Sequence, residues 1–400
     1  MKNARWLAIG ALLPLAFAPP ARGDEDPLLE RRTKRGSLAA EGGSKETEAA
    51  VAKALDWLVR HQAEDGHWDS DAFEERCGQE RCSGPDHGMK SGVGPGRGAR
   101  DYDVGVTGLA LLALLGHGET GAAVARGAAY LVKVQGKEGA VGFEPAVGET
   151  IYNHAIAAQA LCEAYALTRD PALEAPAKKA IDFCLAAQNP GLGWKYGVKP
   201  GSSDTSVTGW MVLALAAADR AGIGMKVEAK DGALAWLERV TDETLGRTSY
   251  ERLGGGASFF PPEVYPDKRT FREVPALTAA AVWCRLLLGQ KAGHKLVVKG
   301  IDVLAKEPPA YSLDRERSPT DFDYWFFGTY ALFHATSADS ARWKKWNRAL
   351  QTALLKNQRK GGCVDGSFDP VDAWGIAGGR VYATAINALS LEAYYRFPRK

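Results

Sequence analysis

The sequence predicts an all-α protein built as a double ring, six inner helices enclosed by six outer ones. Three observations carry that prediction. A helical unit recurs at a period of roughly 50 residues, the range of solenoids and closed arrays. Two kinds of helix alternate in each unit, one apolar along a single stripe and one apolar nearly all round, so the first packs outside and the second is buried on all sides. The first and last units carry the same signature, so neither reads as the polar cap that ends an open superhelical stack.

The outer half of each unit is an amphipathic helix ending in an aromatic or aliphatic residue and a Gln, then a Gly turn and a further aromatic. Its copies are Trp57-Leu58…Gln62…Gly66-His67-Trp68, Tyr130-Leu131…Gln135…Gly142-Phe143, Phe183…Gln188…Gly193-Trp194 and Leu354…Gln358…Gly366-Ser367-Phe368. Degenerate copies follow Trp236-Leu237 and Val303-Leu304. The inner helices carry small residues near their starts, marked by Thr107, His154, Thr208, Thr278, Thr329 and Thr384. The steps between these markers are 47, 54, 70, 51 and 55 residues, and the long step holds Gly254-Gly255-Gly256 and the Phe259–Asp267 stretch, an insertion in a loop.

Composition agrees with a large folded core: 400 residues, 46% hydrophobic and 24% charged, exclude a disordered chain or a small disulfide knot. The N-terminus has Lys2 and Arg5, an apolar run from Trp6 to Ala18, then small residues, the order of a secretory signal over 1–23. Residues 24–46 read as a flexible leader and 47–400 as the ring domain; no later stretch is apolar enough to span a bilayer. The expected location is therefore exported, periplasmic or extracellular. Without Lys2, Arg5 and Arg22 the net charge falls from +2 to −1, which leaves no overall field for nucleic acid. Outside the cytosol Cys77 and Cys82, close together in a polar loop, are candidates for a disulfide. A metal cluster of Cys77 and Cys82 with His67 and His87 lacks the usual paired spacing, so no metal and no cofactor are expected.

The repeated aromatic-Leu-x-x-x-Gln…Gly-x-Trp unit resembles the QW repeat of squalene-hopene and oxidosqualene cyclases. The sixfold helix pairing resembles the (α/α)6 toroid those cyclases share with protein prenyltransferase β subunits. Tyr324-Trp325-Phe326-Phe327-Gly328-Thr329, with Gly378-Gly379-Arg380-Val381-Tyr382-Ala383-Thr384, is also similar to exported bacterial prenyltransferase/squalene-oxidase repeat proteins. The resemblance spans residues 47–396 and implies the fold more strongly than any activity.

Such cyclases start their reaction with a protonated acid from an Asp-x-Asp-Asp-Thr motif. Asp321-Phe322-Asp323-Tyr324-Trp325 keeps its first two acids and loses the third, so Asp323 and Asp321 are the candidate catalytic pair, with helix capping as the competing reading. The zinc site of the prenyltransferases is not reproduced: Cys363-Val364-Asp365 reverses the Asp-x-Cys order and no His follows it. Cys77-Gly78-Gln79-Glu80 transposes the Cys-Gly-Glu-Gln of complement-like thioester domains and should form no thioester.

In a ring of parallel inner helices every N-terminus opens on one face, where orphan N–H groups and helix dipoles favour anionic or oxygen-rich ligands. The residues at those starts, candidates to line a ligand cavity, are Asp103, Tyr152, His154 and Asp204, then Glu273, Tyr324, Trp325, Arg380 and Tyr382, with Trp210 one turn further in. Three readings follow: a binding cavity for an apolar or oxygen-rich ligand with no assigned reaction, a cyclase-like isomerase with Asp323 as its acid, and a glycan hydrolase or lyase.

Overall fold

The computed structural model describes residues 27–78, 80–82, 96–255, 275–312 and 320–399. The expected signal segment, Glu273 and His87 lie outside them. A short helix α1 (Pro27–Thr33) precedes six outer–inner pairs. These are α2 (Lys45–Arg60) with α3 (Asp103–His117), α4 (Ala122–Lys133) with α5 (Ile151–Thr168), and α6 (Pro171–Ala187) with α7 (Thr205–Arg220). They continue as α8 (Val227–Val240) with α9 (Ala276–Leu287), α10 (Lys295–Leu304) with α11 (Phe322–Ala335), and α12 (Ala341–Asn357) with α13 (Gly375–Leu391); α14 (Ala393–Arg396) ends the chain. Each inner helix packs on the next and α13 returns to α3, so the ring is closed: the fold is an α/α toroid. Among the described residues no helix is long and apolar enough to cross a membrane.

Burial sorts the helices as the patterning requires. The inner α3 is buried without a break from Gly105 to Gly116. The outer α4 buries Val124, Gly127, Ala128 and Leu131, an i, i+3, i+4, i+7 stripe.

The repeat residues are the joints of the ring. Each signature Gln donates through Nε2 to a carbonyl of its own turn and to one at the start of the next outer helix. Gln62 bonds Gly66 O and Ala123 O (both 2.9 Å), Gln188 bonds Leu192 O (2.8 Å) and Ala229 O (3.0 Å), and Gln358 bonds Gly366 O (2.8 Å) and, across the seam, Ala50 O (2.7 Å). The inner-helix Thr then receives the backbone N–H two residues past the turn glycine or carbonyl: Trp68 N to Thr107, Trp194 N to Thr208 and Phe368 N to Thr384, at 2.9, 3.0 and 3.1 Å. In the second unit the same place is taken by Gly139 and Val141, not by Gly142 and Phe143 as the sequence suggested, and Val141 N donates to His154 Nδ1 (3.1 Å). The turn glycine is required twice over. Gly66 and Gly366 have φ of +101° and +91°, and a Cβ on either would meet a carbonyl oxygen of the neighbouring outer helix at 2.2 Å.

One expectation needs correction. Residues 24–46, read as a flexible leader, are helical over Pro27–Thr33 and Arg35–Glu41. The reason is Arg32, whose buried guanidinium bonds Leu115 O (3.0 Å) and Arg396 O (3.2 Å) and pairs with Glu163 (3.4 Å), which ties the segment to the C-terminal end of the inner ring.

Candidate active site

The N-terminal turns of α3, α5, α7, α11 and α13 surround a cavity of ≈ 400 Å³. That lies within the roughly 300–1,000 Å³ usual for small-molecule sites. Its wall is aromatic: Tyr102, Tyr152, Tyr196, Trp210, Tyr250, Trp374 and Tyr382 line it, with Gly105, Val106, Leu109 and Ile156 between them. Two acids enter it, Asp323 and Glu149. Among the described residues no Lys or Arg lines it. Beneath it the ring centre is filled by rings: Trp210 stacks on Phe326 (5.5 Å between centroids) and Trp283 on Tyr330 (4.5 Å).

Helix geometry decides which part of Asp321-Phe322-Asp323-Tyr324-Trp325 reaches the cavity. Successive side chains on an α-helix diverge by about 100°, so one face carries i, i+3, i+4 and i+7. On α11 that face is Asp323, Phe326, Phe327 and Tyr330, and Asp323 is the carboxyl that enters the cavity. Tyr324 and Trp325, expected beside it, turn away. The Tyr324 hydroxyl donates to Glu307 O (2.6 Å) with its ring against Trp346, and Trp325 is fully buried against Phe322. Asp321 caps α11, accepting from Tyr324 N (2.9 Å). The capping reading therefore holds for Asp321 and fails for Asp323.

A further carboxylate, Asp372 in the loop before α13, acts on Asp323 from across the helix start. Its Oδ2 accepts from Phe322 N (3.0 Å) and from the Tyr382 hydroxyl (2.9 Å). Burial pushes Asp372 up to about 7, with Asp321 adding to the effect. Asp323 is raised well above the usual carboxylate range by burial, then by Asp321 and Asp372, against a hydrogen bond from Trp210. Its surroundings in an apolar, aromatic chamber thus favour the neutral form of the Asp323 carboxyl.

Other expected cavity residues are structural. His154 is enclosed between α5 and α6, with Nε2 3.2 Å from the Cys184 sulfur and Nδ1 accepting from Val141 N; burial lowers it to about 3. It stands two residues from Tyr152, about 200° round the helix. Asp204 caps α7 through Val207 N (2.7 Å), and Asp103 accepts from Ser70 N (2.9 Å) and Ser70 Oγ (2.7 Å). Burial raises Asp204 to about 7 and Asp103 to about 6, but neither faces the cavity. Arg380 is buried against Asp369 (2.7 Å) and Ser367 (3.0 Å). Tyr152, Trp210 and Tyr382 do line the cavity as expected.

Asp372, Glu149, Tyr196 and Tyr250 were not foreseen, because they sit in connecting segments outside the periodic helices. Tyr196 and Tyr250 share a 2.5 Å hydroxyl contact on one wall.

Cys77 and Cys82 are free thiols and form no disulfide. Both sulfurs point at His61 Nε2, at 3.6 and 3.2 Å, where Cys363 joins them at 3.4 Å. These four side chains are placed where they could hold a metal ion, a set other than the Cys77, Cys82, His67 and His87 considered from the sequence.

No family model matches the chain, and no curated protein matches it. Solved structures do, at sequence identities that establish the fold alone. An unsaturated glucuronyl hydrolase specific for heparin is 15% identical, with a TM-score of 0.57 over 88% of this chain and 97% of that one. An alpha-1,6-mannanase of Salegentibacter sp. HEL1_6, in complex with alpha-1,6-mannotetrose, is 10% identical, with a TM-score of 0.56 over 88% and 99%. The type II terpene cyclase MstE from Scytonema is 13% identical, with a TM-score of 0.52 over 88% and 99%. The chain thus shares its toroid with terpene-cyclising and glycan-cleaving enzymes.

Proposed function

We propose that the cavity binds a largely apolar, isoprenoid-type ligand and that Asp323 serves there as a Brønsted acid, which makes the protein a cyclase-like isomerase. The observation that carries this reading is the placement of the Asp323 carboxyl at the edge of an aromatic chamber, where burial, Asp321 and Asp372 all favour its neutral form and no Lys or Arg is among the described lining residues. Addition of the Asp323 proton to a carbon–carbon double bond creates a carbocation. Aromatic faces such as Trp210, Tyr152 and Trp374 stabilise positive charge. Loss of a proton from a neighbouring carbon completes the reaction, so substrate and product are isomers, and Asp323 is reprotonated from solvent. Tyr382 and Phe322 N hold Asp372 in place, and Asp372 in turn disfavours ionisation of Asp323. An exported location fits the N-terminal segment and belongs to the same proposal.

The test is incubation of the purified protein with linear polyprenyl alkenes of graded length, followed by gas chromatography with mass detection. New products of unchanged mass that disappear in Asp323→Asn support the reading. Turnover that survives Asp323→Asn overturns it. Glu149 in the same cavity favours a second reading, a glycan-active site with two acids on an aromatic platform. Release of reducing ends from oligosaccharides, with no alkene isomerised, would select it.

A further inference from the structure

We infer that His61, Cys77, Cys82 and Cys363 form a structural zinc site that fastens the first repeat to the last. The four residues come from three distant places: the residue that ends α2, the loop between α2 and α3, and the loop between α12 and α13. Their ligand atoms all lie within 4.8 Å of one another. The three sulfurs approach His61 Nε2 at 3.2, 3.4 and 3.6 Å. A tetrahedral zinc with Zn–N of about 2.05 Å and Zn–S of about 2.3 Å places nitrogen and sulfur about 3.6 Å apart, which agrees with these separations.

Hydrogen bonding alone does not explain the convergence. One imidazole lone pair accepts a single S–H well, so three thiols around it leave two without a proper partner. A cation at the centre engages all four groups. His61 is prepared for that role, since its Nδ1 lies 2.8 Å from Trp57 O, and an N–H donated there leaves Nε2 as the lone-pair nitrogen. The ring is held flat by Trp57, stacked at 4.1 Å, with Phe73 edge-on. Cys82 N donates to the Cys77 sulfur at 3.3 Å, a contact suited to a thiolate. Three thiolates and a neutral imidazole give a divalent zinc complex a charge of −1, and Arg60 sits beside it, bonded to Cys363 O at 3.5 Å. Four protein ligands leave no open position, so the site is structural and takes no part in the chemistry of the cavity.

Sulfur-rich tetrahedral donors select zinc over magnesium or calcium. The gain is mechanical: the metal ties the loop between α2 and α3 to the sixth unit.

The full chain, purified without added chelator, should carry about one zinc per molecule by elemental mass spectrometry, and intact mass should show all cysteines reduced. Removing the metal with a chelator should lower the melting temperature, and zinc alone should restore it. Cys363→Ser should reduce bound zinc to near zero, and Cys363→His, which keeps a ligand at that position, should recover it. Cobalt substitution should give the visible spectrum of a tetrahedral, thiolate-bound ion. A chain that folds, keeps its thiols reduced and takes up no zinc overturns the inference, as does an oxidised Cys77–Cys82 pair in the purified protein.

Discussion

The two ends of the inner helix ring both hold buried acids and differ in the charges set beside them. At the cavity end, where the helices begin, Asp323 and Asp372 meet other carboxylates, no Lys or Arg is among the described residues that line the cavity, and burial drives both toward the protonated form. At the far end, where α3, α5, α7 and α13 finish, Glu163 is surrounded by Arg396 (2.8 Å), Arg32 (3.4 Å) and Arg220 (4.0 Å). Burial alone would raise Glu163, but the three guanidinium groups override it and hold it at about 2. Glu392, which pairs with Arg396 (3.3 Å), is still pushed up to about 8 by burial. The arginines also donate to the last carbonyls of α3, Leu115 O from Arg32 and Leu112 O from Arg396, where a positive charge suits the helix dipole. Burial by itself does not make an acid reactive. At Glu163 three cations outweigh burial, whereas at Asp323, Asp372 and Glu392 burial prevails and favours the protonated form.

The sharpest test of this contrast is Glu163→Ala. It leaves three buried arginines without their shared partner and should cost about 3–5 kcal/mol in chemical denaturation. Asp323→Asn should leave stability unchanged or raise it, because burial and the neighbouring carboxylates disfavour the charged form of that group. If both substitutions cost the same, the distinction between the ends is wrong.

Next in size is Gly379→Ala at the cavity end. Gly379 has φ of +61°, and a Cβ there would lie 2.5 Å from Gly98 N and 2.8 Å from Ser70 O. A loss of about 1–3 kcal/mol is expected, with weaker ligand binding, because the kink seats Ala377, Gly378 and Tyr382 along the cavity wall.

The pH dependence should also separate the ends. Glu163 lies below its unfolded value of 4.5, so its contribution is complete above that pH and is lost as pH falls toward about 2. Asp372 lies above its unfolded value of 3.8, so between 3.8 and about 7 the folded state holds the extra proton and stability falls as pH rises. Asp204, raised to about 7, acts in the same direction. Denaturant midpoints measured against pH should therefore peak between about pH 4 and 5, where the two windows meet. Asp372→Asn should flatten the fall from there to neutrality and leave the acid limb unchanged.

An effect of the same order as that of Gly379→Ala is expected at a joint between units. Gln188→Ala removes hydrogen bonds to Leu192 O and Ala229 O and should cost about 1–3 kcal/mol, with the cavity chemistry untouched.

The sequence made the ring legible because its joints repeat: Gln62, Gln188 and Gln358 make equivalent bonds, as do Thr107, Thr208 and Thr384. Asp323 was legible through one short motif. Asp372 was not, since a lone acid in the loop before α13 has no periodic neighbours to mark it, and its meaning comes from Phe322 N and the Tyr382 hydroxyl across the ring. The helix starts misled where adjacent residues diverge. His154, Tyr324 and Trp325 share those first turns with true lining residues but lie on other faces. The cysteine cluster escaped for a topological reason, because His61 and Cys363 lie 302 positions apart and meet only when the circle shuts.

That closure has a consequence for how the chain could be cut. The bond from Gln358 to Ala50 O spans 308 positions yet repeats the geometry of joints that span 41 or 61, so the seam is chemically one joint among several. The first and last described helices also meet, Arg31 bonding Tyr394 O at 2.9 Å. Linking those helices directly and opening the chain between two other units should yield a circular permutant with the same ring. Its slowest folding step should move to whichever joint then has the longest loop to close.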